Sequence, residues 1–177
     1  MNSKRGEFLL YVYTGEGGGK TTAALGLALR SVGHGHKVVI VQFMKGRKDI
    51  GEWKIARRLA PQYEIHQFGR EGFVDLKNPS EEDKQLAKKG LEFAREVAFR
   101  KPNLLILDEL NLAVAVGLLK LEEVMKLLDE IPKEVVVVVT GRYAPKELID
   151  RADFANEVKD VKHPFKKGIP AKEGIQF

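Results

Sequence analysis

The sequence contains no cysteine. That excludes disulfides, thiol nucleophiles and cysteine-based metal sites, and it suits a reducing compartment. Nor is there an apolar run of about 18 residues, the length a helix needs to cross a bilayer. The N-terminus Met1-Asn2-Ser3-Lys4-Arg5 leads straight towards a strand with no signal-peptide pattern. A cytoplasmic protein is expected, with no membrane partner. Internal repeats and low-complexity linkers are also absent, so residues 1–177 read as a single domain large enough to bury a core. Acidic residues are outnumbered, 25 to 30, giving a net charge of +5 and favouring an anionic partner. The basic residues are dispersed, with small clusters at 45–48, Arg57-Arg58 and 162–172. Ordinary solvated surface and a nucleotide account for them more simply than nucleic acid does.

What is present is organised around Thr14-Gly15-Glu16-Gly17-Gly18-Gly19-Lys20-Thr21-Thr22, directly after the apolar run 8–13. A strand, a glycine loop ending in Lys-Thr and a helix-forming run make a phosphate cradle. Successive backbone N–H groups turn towards phosphate oxygens, and the helix N-terminus behind them adds partial positive charge. Lys20 is expected to reach the outer phosphates and the Thr21 hydroxyl to hold Mg²⁺. Thr14 occupies the position of the first glycine in the usual G-x-x-x-x-G-K-[ST] pattern, so the loop is one residue tighter and the triphosphate is expected to lie in it differently.

Apolar periodicity places a helix over 20–32. The run 37–43 reads as a strand buried on both faces, with Met44-Lys45-Gly46 at its carboxyl end, where open parallel sheets bind ligands. A helix over 51–60 and a strand over 63–68 follow. The long loop 69–79 carries Phe73, either a lid residue or a plug over the core. Ser80-Glu81-Glu82-Asp83 resembles a capping box and opens a long helix that ends before Lys101-Pro102. The strand 104–107 then delivers Asp108 and Glu109, the carboxylates that a Mg-nucleotide site needs opposite the phosphates. A short apolar segment over 110–119, a helix over 121–131 and the valine strand 134–140 come next. That strand brings Thr140-Gly141-Arg142 to the same sheet edge, with Arg142 as a ligand-facing cation. A short helix over 145–152, a last strand over 157–162 and an irregular tail complete the chain. Strands alternate with helices throughout, so the expected fold is α/β, a doubly wound, mostly parallel sheet of the P-loop NTPase-like (RecA-like) kind. Every candidate residue sits at a strand's carboxyl end.

The loop 14–24, Arg30-Ser31-Val32-Gly33-His34-Gly35, Val41-Gln42-Phe43-Met44-Lys45-Gly46, Leu107-Asp108-Glu109-Leu110 and Thr140-Gly141-Arg142 form one ordered set, completed by Val161-Lys162-His163-Pro164-Phe165 with Gly168 and Gly174-Ile175. This set resembles the corrinoid adenosyltransferases of the CobA/BtuR/CobO type over nearly the whole chain. The resemblance implies transfer of the 5′-deoxyadenosyl group of ATP to the Co(I) of cobalamin or a corrinoid precursor, with triphosphate released. It implies ATP as co-substrate, Mg²⁺ or Mn²⁺, a corrinoid substrate, a reductase as electron donor, a reversed ATP pose and a homodimer.

On that resemblance the residues from Thr14 to Thr22 hold the triphosphate, with Lys20 neutralising developing charge. Thr21 and Glu109 hold the metal, with Asp108 in or just behind its ligand shell. Arg30 is either an ATP contact or a helix-surface arginine, and His34 and His36 are turn residues. Phe73 falls where the family sets aromatics against the lower face of the corrin, disfavouring a lower ligand on cobalt. Two positions depart from the pattern. Gly18 stands where a basic residue is usual, so Lys45 or Arg142 is expected to supply that contact, and Asp75 stands where a second aromatic is expected. The longer N-terminal extension of some members is expected to be absent. Two other readings fit the nucleotide site alone: a P-loop kinase or ATPase acting at the terminal phosphate, and a noncatalytic nucleotide-dependent module gripping nucleic acid through residues 162–172.

Overall fold

The computed structural model describes residues 9–176. The N-terminal stretch, with the start of the first expected strand at Phe8, and the terminal Phe177 lie outside the described residues. The chain alternates β1 (Leu9–Thr14), α1 (Lys20–Gly33), β2 (Val38–Phe43), α2 (Gly51–Leu59), β3 (Tyr63–Phe68), α3 (Glu81–Ala98) and β4 (Leu104–Asp108). It continues with α4 (Leu110–Ala115), α5 (Leu121–Glu130), β5 (Val136–Thr140), α6 (Lys146–Arg151), β6 (Phe154–Glu157) and a 3-10 turn, Pro164–Lys167.

Six strands form one sheet in the order β3-β2-β4-β5-β1-β6, and every pairing among the described residues is parallel. Both faces are covered, which is why the inner strands read as continuous apolar runs rather than alternating ones. Residues alternate between the faces along each strand. Leu105 and Leu107 of β4 pack with Val39, Val137 and Val139 beneath α3 and α5. Leu104 and Ile106 point the other way, with Ile40 and Val138, beneath α1 and α2. Leu105, Leu107, Ile40 and Ile106 are fully buried, each contributing about 2 kcal/mol through removal from water.

Local chemistry sets the element ends. Ser80 caps α3 by accepting from the Asp83 backbone N–H at 3.2 Å, while the Asp83 carboxylate accepts from the Ser80 N–H at 3.2 Å, completing the expected capping box. Two elements differ from expectation. The apolar segment after β4 contains a helix, α4, whose Leu110, Leu112 and Ala113 are buried. The last strand lies earlier than the expected 157–162. Asp153 fixes its register by accepting from the Leu10 N–H through Oδ2 at 2.8 Å and donating its own N–H to the Leu10 carbonyl at 3.0 Å. All four residues of β6 are exposed, so no hydrophobic pattern marks it.

Candidate functional site

The loop between β1 and α1 is packed against the chain that leaves β6. Val158 donates its N–H to the Thr14 carbonyl at 2.8 Å and accepts the Gly17 N–H at 2.8 Å. The Gly18 N–H donates to Asp160 Oδ1 at 3.0 Å. A side chain at Gly17 would stand 2.8 Å from the Val158 oxygen and the Lys159 carbonyl carbon, and Gly15 combines a φ of +102° with the same crowding against Val158. Only glycine serves at either position. Lys20 opens α1, is buried and donates Nζ to the Gly17 carbonyl at 2.6 Å. Burial lowers its pKa, with the neighbouring Glu109 acting in the opposite direction.

Opposite the loop, β4 ends in two carboxylates in contrasting surroundings. Asp108 is buried and receives four donors: Thr21 Oγ1 at 2.8 Å and Thr140 Oγ1 at 2.7 Å on Oδ1, Lys45 Nζ at 2.7 Å and Gln42 Nε2 at 3.0 Å on Oδ2. Burial alone would raise its pKa, but the charge and hydrogen bond of Lys45 and the two threonine hydroxyls outweigh it and hold the carboxyl below its usual range. Burial likewise opposes the charge on Lys45, and Asp108 overcomes it, so the ammonium pKa lies above its ordinary value. Glu109 is different. Its backbone is left-handed, φ 63°, and its Oε2 is buried with no hydrogen-bond partner among the described residues. Burial and the Asp108 charge raise its pKa against Lys45, Lys20 and Arg142. A strained backbone presenting an unpartnered buried oxygen is an arrangement found at functional sites.

These groups surround a cavity of about 1030 Å³ lined by residues 16–22, Lys45, Glu52, Glu109, Arg142, Asp160, His163 and the tail around Gly174–Gln176. A second cavity of about 480 Å³ adjoins it, lined by Met44, Gly46, Arg47, Ile50, Arg70 and Phe73. Lys45, Glu52 and Gln176 line both.

Among the sequence-predicted residues, Glu16, Gly17, Gly18, Gly19, Lys20, Thr21, Thr22, Lys45, Glu109 and Arg142 meet in the first cavity, with Asp108 buried behind it. Phe73 stands fully exposed at the second cavity. Thr14 and Gly15 line a separate depression on the other side of the loop. Arg30 is exposed in the last turn of α1 and lines none of the described cavities, so the geometry favours its helix-surface reading. Asp75 accepts the N–H groups of Lys77 and Asn78 at 3.0 and 3.3 Å, a turn-shaping role that an aromatic could not fill.

Residue-level reading assigns no site role to Gln67, Glu52 or Asp160, and none of their own to Gln42 and His163, which appear only within the motif set. The available signal was Gln42, a polar side chain next to the end of an otherwise apolar strand. Glu52 looked like an ordinary polar position on a surface helix, and nothing local distinguished Asp160 in the tail.

Glu109, whose Oε2 has no partner among the described residues, and Thr21 line the same cavity and could hold a divalent cation. Among the described residues no group of three or more His, Cys, Asp or Glu could hold a metal. One carboxylate completed by phosphate oxygens and water suits Mg²⁺ better than a cation bound by protein alone.

The family model described as "ATP:corrinoid adenosyltransferase BtuR/CobO/CobP" matches residues 6–177. The corrinoid adenosyltransferase of Pseudomonas aeruginosa is 38% identical over 170 residues, covering 96% of this chain and 83% of that one. The corrinoid adenosyltransferase of Escherichia coli K12 is also 38% identical over 170 residues, covering 96% and 85%. Among solved structures, the flagellar accessory protein FlaH of Methanocaldococcus jannaschii superposes with a TM-score of 0.51 at 13% identity, over 82% of this chain and 66% of that one, a likeness of fold alone.

Proposed function

This chain belongs to the ATP:corrinoid adenosyltransferases, and on that premise we propose that its two adjoining cavities divide the reaction, the larger taking ATP and the smaller the corrinoid. The observation that carries the division is the common wall of Lys45, Glu52 and Gln176, which lets the 5′ carbon of a bound ATP face a corrin seated against Phe73.

The chemistry then needs little from the protein. Co(I) is a strong nucleophile, so no base is required: the cobalt–carbon bond forms as the bond from C5′ to its oxygen breaks, the triphosphate leaves with the electron pair, and cobalt becomes formally Co(III). Alignment and stabilisation of the departing charge are what remain. Residues 16–22 hold the triphosphate, with Lys20 turning from the Gly17 carbonyl to the phosphates. Arg142, 3.7 Å from Glu16 on the cavity wall, supplies the cation missing at Gly18, because Lys45 is committed to Asp108. Glu109 and Thr21 would hold Mg²⁺ or Mn²⁺, which when bound would supply charge neutralisation at the leaving triphosphate, while Asp108 orients Thr21 from behind. Phe73 covers the lower face of the corrin.

We further propose a single domain, a homodimer, an electron-donating reductase as partner and a cytoplasmic location. No helix of the described residues is long and apolar enough to cross a membrane, and the lack of cysteine suits a reducing compartment.

The deciding experiment is an anaerobic reaction with Mg-ATP and chemically reduced cobalamin, following the cobalt–carbon bond optically and identifying the phosphate product. Adenosylcobalamin with one equivalent of triphosphate is expected. ADP with unchanged corrinoid would overturn the reading in favour of chemistry at the terminal phosphate.

A further inference from the structure

Across the carboxyl end of the sheet runs a row of hydrogen-bonded polar side chains on four adjacent strands. In register, Gln67 of β3 stands beside Gln42 of β2, and Gln42 beside Asp108 of β4. Gln67 Nε2 donates to Gln42 Oε1 at 2.9 Å, and Gln42 Nε2 donates to Asp108 Oδ2 at 3.0 Å. Thr140 of β5 closes the row with its 2.7 Å bond to Asp108 Oδ1. The amide orientations are forced. Gln67 Nε2 also donates to the Arg47 carbonyl at 2.9 Å, so a flipped amide would set oxygen against oxygen. Gln42 is fully buried, and its second amide hydrogen reaches Glu52 Oε1 at 3.3 Å.

The row connects, through the groups it bonds, to the walls of both cavities. Asp108 fixes Thr21 at the nucleotide cavity and Lys45 where loop 44–49 leaves β2 and lines both cavities, whereas the Arg47 carbonyl, held by Gln67, lies further along that loop, at the second cavity with Phe73. Neither glutamine lines either cavity, so neither is a catalytic residue. We infer that Gln67 and Gln42 are positioning residues that hold the Arg47 part of loop 44–49, beyond the direct tie of Lys45 to Asp108, in register with that carboxylate, and so hold the corrinoid wall at a fixed offset from the ATP it must meet. Displacement of reactants by an ångström is costly when a reaction depends on alignment. The inference rests on the assignment of ATP and corrinoid to the two cavities.

The test uses the full chain with Mg-ATP and chemically reduced cobalamin. Gln67→Met is expected to lower kcat about tenfold while changing the KM for ATP by less than about twofold. In a Gln42→Met background, where the row is already broken, adding Gln67→Met is expected to lower kcat by less than about twofold. Losses that multiply across the two backgrounds overturn the inference, as does an equal rise in the KM for ATP. A second readout needs no Gln42 variant: amide hydrogen exchange over 44–49 is expected to quicken in Gln67→Met, and unchanged exchange overturns the row. Wild-type turnover with multiplicative losses sinks the row alone. Absence of wild-type adenosylation sinks the cavity assignment and the row with it.

Discussion

Glu109 concentrates the tension of the site in one residue. It takes a left-handed backbone conformation and buries an oxygen that has no hydrogen-bond partner among the described residues, a cost of the kind that functional sites carry. Its raised pKa fixes the sign of a stability effect. The unfolded carboxyl titrates near 4.5 and the folded one above it, so both states are protonated below that range and the ionised group destabilises the fold above it. Glu109→Gln should therefore raise the melting temperature of the metal-free protein at neutral pH, and the gain should vanish as pH falls below 4.5. The same variant should weaken Mg²⁺ dependence in turnover, checked by titrating the metal at saturating ATP. Phe73, fully exposed, gives the complementary case. Phe73→Ala should reduce adenosylation starting from Co(II) more than from prereduced Co(I), and equal losses in the two assays would remove its role at the lower corrin face. At this scale the loop and both carboxylates were legible, because glycine spacing and charge after an apolar strand are local signals. The difference between Asp108 and Glu109 was not, since it depends on four donors brought from distant segments.

Among the elements, α3 shows how a cap does more than begin a helix. Asp83 closes the capping box with Ser80 and also receives Arg70 in two bonds, Nε to Oδ1 and Nη2 to Oδ2, each 2.9 Å. Arg70 lines the second cavity, so the start of α3 anchors that wall. The Arg70 hydrogen bonds, against the cost of burial and with help from Ser80, hold the Asp83 carboxyl below its usual 3.8. A depressed folded pKa gives stability that is fully present above 3.8 and is lost as pH falls through the lower value. Asp83→Asn should cost about 1 kcal/mol at neutral pH, and its melting curve should converge with that of the wild type as pH drops below 3.8. The capping box was readable from Ser80-Glu81-Glu82-Asp83, and the strands buried on both faces from their valine and leucine runs. The edge strand β6 was not, because its pairing is made by backbone alone and its register by Asp153.

For the whole molecule, the surface after α6 is unusually apolar. Phe154, Val161, Phe165, Ile169 and Ile175 are all exposed, Val161 to 92%. The homodimer we propose would cover part of this stretch. Sedimentation should show a dimer for the wild type, and Val161→Asp should shift it towards monomer without unfolding it; a monomeric wild type would remove the proposal. The alternation of strands and helices gave the layered fold from sequence, since each element carries its own period. The cavity-lining role of the tail was hidden, because no periodicity records where an irregular segment returns.

The position of β1 has a consequence for the order in which the molecule can be made. This strand leads into the glycine loop, yet its sheet partners are β5 and β6, with Leu9 beside Val136 and Tyr11 beside Phe154. A chain emerging from the ribosome therefore presents the loop early and cannot seat it until those late strands follow. Pairings so distant in sequence are slow to form. The nascent protein should thus hold β2, β3 and β4 together before β1 is enclosed, gaining its affinity for nucleotide only among the last steps of folding.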